Sequence, residues 1–296
     1  MTAVIEVTNL SRHYGKVKAV EDATFCVEEN TVCGLLGRNG AGKSTLMKLV
    51  TGQEFASSGS IRLWGENPVE NAPVLARTCF VRESQVYPDN FRGKHVLRAA
   101  AHLFPNWDAA FAARLVADFN APLDRRMKKM SRGQRSAIGV IVGLASRAEL
   151  TLLDEPYAGL DAVARELFYD RLLGDYAESP RTIVLSTHLI DEASRLLNHV
   201  VVVDGGRVII DADADDLRGT AVRLVGTHSA IQAFVGSRPT LSWDAIAGIA
   251  SVTLAGLGDR EKADAVASGL ELAPVSLQQL IVSRTRGSQP REEARP

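Results

Sequence analysis

The stretch Gly37-Arg38-Asn39-Gly40-Ala41-Gly42-Lys43-Ser44-Thr45 constrains this chain more than any other. It fits the pattern G-x-x-x-x-G-K-[ST], and its neighbours supply the context that pattern needs. Thr31-Val32-Cys33-Gly34-Leu35-Leu36 before it is a short apolar run that reads as a buried strand, and Leu46-Met47-Lys48-Leu49-Val50 after it has apolar residues at helical spacing. Gly37, Gly40 and Gly42 lack a Cβ, so the backbone can curl tightly and turn its N–H groups toward anionic oxygens. The helix beginning near Lys43 aims its positive end at the same place. Lys43 is expected to reach the β- and γ-phosphates and the Ser44 hydroxyl to take one position on Mg²⁺, with Asn39, Ala41 and Thr45 completing the loop. A glycine-rich turn with a chance lysine would not place four fixed positions in this context. The chain is expected to bind a nucleoside triphosphate.

At 296 residues, of which 46% are apolar, the chain can form one large or two modest domains with a full core. A net charge of −1 gives no global attraction to nucleic acid or to an anionic membrane. Cys26, Cys33 and Cys79 are odd in number and lack metal-ligand spacing, so they read as buried, reduced thiols of a cytosolic protein. The N-terminus reads as a strand and carries no signal-peptide pattern. The longest uncharged apolar stretch, 136–146, is far short of the ~20 residues a membrane span needs and reads as a buried helix. Any membrane association is expected to come through a partner.

Residues 3–8 and about 22–28 alternate apolar with polar, as half-buried antiparallel strands do, with a turn over 11–16 between them. From about 87 to 129 the pattern becomes helical, punctuated by Pro105 and Pro122. Apolar, strand-like runs return at Leu150-Thr151-Leu152-Leu153 and Thr182-Ile183-Val184-Leu185-Ser186, separated by a helix, which is the signature of parallel strands covered on both faces. Val200-Val201-Val202-Val203 is followed by the turn Asp204-Gly205-Gly206-Arg207. The division that follows is an α/β domain over 1–218 with a helical subdomain at about 87–135, a small α+β domain over 219–286, and a polar tail over 287–296 that is expected to be disordered.

Leu152-Leu153-Asp154-Glu155 ends an apolar strand with two carboxylates. In a phosphate-loop fold such a strand ends beside the metal site. Asp154 would then hold Mg²⁺ directly or through water, and Glu155 would orient and deprotonate the attacking water, a role worth ~10²–10⁴ in rate. A charged strand end is common for a lone pair of acids, but this pair accompanies the glycine loop.

With those residues in view, the chain resembles the nucleotide-binding subunits of ATP-binding-cassette (ABC) transporters over about 3–215. The resemblance implies a P-loop NTPase of ABC type, α/β in class, with an antiparallel β subdomain, a helical subdomain and a small α+β appendix. Tyr14 matches the aromatic that stacks on adenine, and Gln85 the glutamine that links the metal site to the membrane subunit. Met130-Ser131-Arg132-Gly133-Gln134 resembles the signature L-S-G-G-Q, Gly159-Leu160-Asp161 the loop that meets the opposing subunit, and His188 the switch histidine on the γ-phosphate. Taken singly, Tyr14 reads as a turn or core aromatic, His188 as structural, and Ser131 as a helix N-cap, which agrees with its place in the signature. The resemblance implies that Ser131, Gly133 and Gln134 complete the ATP site of a second cassette. ATP and Mg²⁺ are the implied cofactors. A second ATPase subunit and a separate membrane permease are the implied partners, with no nucleic acid expected. In texture the chain most resembles the ATPases of drug and antibiotic exporters.

Position 132 departs from the family, with arginine where glycine is usual. Arg125, Arg126, Lys128, Lys129 and Arg135 lie nearby, and Asp124 is the only neighbouring acid in sequence. The group reads as a solvated basic face, or Arg132 assists the opposing γ-phosphate. Competing functions are a soluble ABC ATPase acting on ribosomes or DNA, and a protein that binds ATP without turnover. One cassette and no heptad run disfavour the first, and the presence of Glu155 and His188 disfavours the second.

Overall fold

The computed structural model describes residues 2–246 and 248–287. Apart from Gly287, the tail expected over 287–296 lies outside them. Strands β1 (Ala3–Tyr14) and β2 (Val17–Glu28) pair antiparallel across the turn Gly15-Lys16. The sequence predicts a break after residue 8, yet β1 continues to Tyr14, which faces Val17. The register shifts between Val7 and Leu10, where Asn9 adopts φ 47°, so a bulge lets the strand run on through a polar stretch. In β2, Ala23, Phe25 and Val27 turn inward, so Cys26 faces out. Cys26 is therefore exposed, contrary to expectation, while Cys33 and Cys79 are buried as expected.

Next come β3 (Val32–Leu36), helix α1 (Lys43–Val50) and β4 (Ser58–Leu63), which pairs with the other edge of β1. Helix α2 (Ala72–Ala76) leads into β5 (Thr78–Val81). The helical region holds α3 (Gly93–Leu103), α4 (Ala109–Asp118), one 3-10 turn at Met127–Lys129 and α5 (Arg132–Ala145). Its first helix begins at Gly93, so 87–92 is loop rather than helix. Stretch 136–146 forms most of α5 and buries Ile138, Ile141 and Leu144 completely. Then follow β6 (Leu150–Asp154), α6 (Ala162–Glu178), β7 (Thr182–Thr187), α7 (Ile190–Ala193), β8 (His199–Asp204) and β9 (Arg207–Asp213).

These strands form a six-stranded sheet in the order β5-β6-β7-β3-β8-β9. The β5–β6, β6–β7, β7–β3 and β3–β8 pairs are parallel, and every residue of β3, β6 and β7 is buried. Asp154 stands level with Ser186, and Leu36 with Thr187. The carboxyl ends of β3, β6 and β7 therefore finish on one line, the edge along which open α/β sheets place their ligands. Leu46, Met47, Leu49 and Val50 of α1 share a core with Ile5, Val20 and Phe25 of the antiparallel sheet and with Leu35, Leu152, Val184 and Val201 of the parallel one. Packing on both sheets fixes the helix that follows the glycine loop.

The chain divides into two compact units: Met1–Leu189 with Arg195–Asp211, and a second that begins at Ala212 and takes in Ile190–Ser194. The second contains α8 (Ala214–Leu217), β10 (Ala221–Thr227), α9 (His228–Val235), β11 (Ser242–Ile246), β12 (Ile249–Ala255), α10 (Asp259–Ala267), β13 (Glu271–Pro274) and α11 (Leu277–Gly287). From β10 to β13 the order is β-α-β-β-α-β, and the antiparallel sheet runs β11-β12-β10-β13, a ferredoxin-like arrangement. Its core joins Leu224, Val252 and Leu254 of the sheet to Ile231, Val235 and Ala265 of the helices.

Candidate nucleotide-binding and catalytic site

The glycine loop leaves β3 at Gly37 and enters α1 at Lys43. Gly37, Gly40 and Gly42 all have positive φ, at 152°, 80° and 111°. At two of them space is also decisive. A Cβ on Gly37 would meet the Val203 carbonyl oxygen at 2.2 Å, and one on Gly42 the Ala19 carbonyl oxygen at 2.4 Å. The turn between β8 and β9 braces the loop from outside, where Gly206 N–H donates to the Ala41 carbonyl at 2.9 Å. Gly42 is the N-cap of α1 and offers no side-chain acceptor, so no side chain caps the first-turn N–H groups of that helix. Asn39, Gly40 and Ser44 are exposed, Thr45 is half-buried, and Ala41 is buried with the helix. A Cβ on Gly40 would meet nothing within 4 Å, so the loop is open on that side.

Lys43 is buried and folded back on its own loop, donating to the carbonyls of Gly37 at 2.8 Å and Arg38 at 3.1 Å. Burial lowers its pKa, against which Glu155, Asp154 and Glu83 pull upward. Its Nζ stands 4.0 Å from Glu155 Oε1. Asp154 and Glu155 are both buried at the end of β6, and Asp154 Oδ1, Glu155 Oε1 and Ser186 Oγ have no hydrogen-bond partner. Buried polar atoms left unpaired are costly, so these atoms, with the lysine of the glycine loop 4.0 Å from one of them, call for a polar guest. The donor set suits Mg²⁺, which binds through one or two carboxylates and the phosphates of a nucleotide. Among the described residues no group of three or more His, Cys, Asp or Glu could hold a metal ion by itself.

Glu155 adopts φ 46°, a left-handed conformation that L residues other than glycine rarely take. His188 Nδ1 lies 2.8 Å from Glu155 Oε2. The same oxygen accepts a hydrogen bond from the Tyr157 hydroxyl at 2.5 Å. Sequence reasoning passed over Tyr157 and Thr187, whose hydroxyls are 2.5 Å apart. The available signal was a phenol two positions beyond the Asp–Glu pair, in a stretch otherwise apolar or made for turns. Burial first, and Glu155 next, pushes the Tyr157 phenol above its usual range.

Lys43, Glu155 and His188 thus come together in direct contact or close to it. Gln85 and Arg132 join Glu155 in lining one cavity of about 580 Å³. Within it the Gln85 side-chain oxygen accepts from Arg82 Nε at 3.3 Å. Arg132 pairs with Glu83, and Lys128 with Asp89 at 3.1 Å, so acids distant in sequence meet the basic face that sequence alone pairs only with Asp124. Ser131 caps α5 by accepting from Gln134 N–H at 3.2 Å, while the Gln134 side chain accepts from Ser131 N–H at 3.1 Å. At Gly133 a Cβ would meet the Gly159 carbonyl oxygen at 2.3 Å, which ties the start of α5 to the loop after β6. Tyr14 closes β1 on the antiparallel sheet, 42% exposed, with the Arg12 guanidinium 4.5 Å from its ring centroid.

The family pattern described as ABC transporter matches residues 20–158. The Nod factor export ATP-binding protein I of Cupriavidus pinatubonensis is 34% identical over 223 residues, covering 73% of this chain and 68% of that protein. The zinc uptake system ATP-binding protein ZurA of Listeria innocua is 32% identical over 228 residues, covering 73% and 88%. A solved structure described as the ATP-binding subunit of an ABC transporter is 27% identical with a TM-score of 0.64, covering 72% of this chain and 91% of its own. The bacterial Atm1-family ABC exporter with ATP bound, 20% identical, shares the fold at a TM-score of 0.62 over 73% of this chain and 40% of that one. The fold is a P-loop NTPase of ABC type, and the chain belongs to the ABC transporter family, among its ATP-binding proteins.

Proposed function

We propose that the chain hydrolyses ATP as one of two cassettes that close around Mg·ATP and drive a separate membrane permease. The observation that carries this reading is Glu155, held through Oε2 and left with an unpartnered Oε1 beside Lys43. Lys43 leaves its loop carbonyls to bind the β- and γ-phosphates, and the loop 37–45 supplies backbone N–H groups. Ser44, Asp154 and Gln85 are the groups that would hold Mg²⁺, which supplies neutralisation of phosphate charge. Glu155 accepts a proton from the attacking water, and His188 turns to the γ-phosphate. Tyr14, whose exposed ring has Arg12 near it, would stack on the adenine. Ser131, Gly133 and Gln134 at the capped start of α5 would face the ATP of the second cassette, an arrangement that suits an anion.

The permease would dock at 87–103. An apolar groove of about 190 Å³ lies there, lined by Phe80, Tyr87, Phe91, Val96, Ala100 and Phe104, with Leu103 71% exposed at its rim. Among the described residues no helix is long and apolar enough to cross a membrane, so the proposed place at the inner membrane face is peripheral and depends on that partner. Export is the proposed direction, on the likeness to the Nod factor export protein; the zinc uptake relative represents the opposite case.

The test is the Glu155→Gln protein with and without Mg·ATP. It should bind ATP, pass from monomer to dimer on adding Mg·ATP, and lose turnover by roughly 10²–10⁴. Full turnover in this variant would remove Glu155 from the role of base. ATP binding without dimerisation would point to a different cassette as partner.

A further inference from the structure

Glu155 is gripped at one oxygen only. Oε2 accepts from Tyr157 Oη at 2.5 Å and lies 2.8 Å from His188 Nδ1, whereas Oε1, the oxygen nearer Lys43, has no hydrogen-bond partner. The phenol is held in turn. Thr187 Oγ1 is 2.5 Å from Tyr157 Oη, and Leu189 N–H donates to that threonine oxygen at 2.9 Å. The polarity of this chain follows from what each group can do. A carboxylate only accepts, so Tyr157 gives its one proton to Glu155, and Oη must then accept from Thr187. Thr187 is free to donate because its own acceptor duty is met by Leu189 N–H.

The two groups on Oε2 differ in burial. The Tyr157 ring is 3% exposed, with Tyr169 and His188 at centroid distances of 6.2 and 6.1 Å. The His188 side chain is 47% exposed, so solvent and a bound ligand can reach it. A glutamate has several soft side-chain torsions, and a general base that points the wrong way loses much of its advantage.

We propose that Tyr157 is the positioning residue for the general base. Its hydroxyl, braced by Thr187, keeps Oε2 fixed and Oε1 aimed at the Lys43 side of the site when His188 leaves the carboxylate for the γ-phosphate. The inference rests on the roles proposed above for Glu155 and His188, and it adds an anchor that belongs to this chain's own Tyr157.

The test is Tyr157→Phe, which keeps the ring and deletes the hydroxyl, with turnover expressed per bound ATP. The kcat should fall roughly 10- to 100-fold, the scale of one hydrogen bond to a charged group. KM for ATP and Mg·ATP-dependent dimerisation should stay at their starting values, which a general loss of structure would not allow. Thr187→Val should give a smaller fall, and the double variant should be no slower than Tyr157→Phe, because the brace acts only through the phenol. Unchanged kcat in Tyr157→Phe, or full additivity of the two changes, overturns the proposal. Glu155→Gln, assayed beside them, separates the two failures. If it retains full turnover, the base assignment fails and takes the anchor with it. If it is inactive while Tyr157→Phe runs at full rate, only the anchor fails.

Discussion

Lys43 pays for its position. Its ammonium is buried with two carbonyls of its own loop as hydrogen-bond partners, and burial drags its pKa below the usual 10.5. In the absence of phosphate this charge is a load on the fold, since a buried charge is costly unless fully compensated. Lys43→Met fills similar space without the charge. Its thermal unfolding midpoint should equal or exceed that of the parent, while ATP binding, read by calorimetry, weakens roughly 10- to 100-fold. A lower midpoint with unchanged binding would refute this. The lysine was legible in sequence because its motif has fixed spacing. Tyr157 was not, because its partner Thr187 is 30 residues away and only the alignment of β6 with β7 brings them together. Cys26 could have been placed correctly by period-2 alternation alone, since Phe25 and Val27 on either side are buried and the residue between them must face out.

Elements differ in how plainly they announce themselves, and burial explains the difference. The strands β3, β6 and β7 are covered on both faces and read as apolar runs, whereas β11 and β13 are edge strands of the ferredoxin-like unit, short, largely exposed and charged. Edges this short and exposed carry no apolar run, so the β-α-β-β-α-β order within the α+β domain expected over 219–286 is not readable from the sequence. Burial also gives the parallel sheet a pH signature. Cys79 on β5 is fully buried, which raises its pKa from 9.0 to about 11, with Ser146 pulling the other way, and Cys33 on β3 is pushed up further. In the window from 9.0 to about 11 the unfolded chain has given up the Cys79 proton and the folded chain keeps it. Folding then binds more protons than unfolding, so this contribution is full below pH 9.0 and drains away as pH rises through the window. Urea unfolding of Cys79→Val across that range should show a shallower loss of stability than the parent. Parallel curves would mean that the thiol is not retained in its neutral form by the sheet.

At the scale of the molecule, chain order matters more than length. The first unit holds the glycine loop, both carboxylates and His188, but the chain leaves it at Leu189, one residue past the histidine, and returns at Arg195. The excursion is α7, whose Ile190 and Ala193 are buried and which packs with α11 of its own unit. Arg218 in turn donates to the Ser194 carbonyl, pinning the segment just past α7. Truncation after Asp211 removes both supports from α7, which begins two residues past His188. The core around α1 consists of residues from the first unit alone, so it should survive. ATP binding by the shortened chain is therefore expected within a few-fold of the full chain, while turnover per bound ATP falls roughly tenfold or more, as misplacement of catalytic groups does. Stopped-flow binding and steady-state turnover on the two chains decide it. Equal loss in both would mean that the second unit supports the whole nucleotide domain, and no loss in either that α7 holds its place without help.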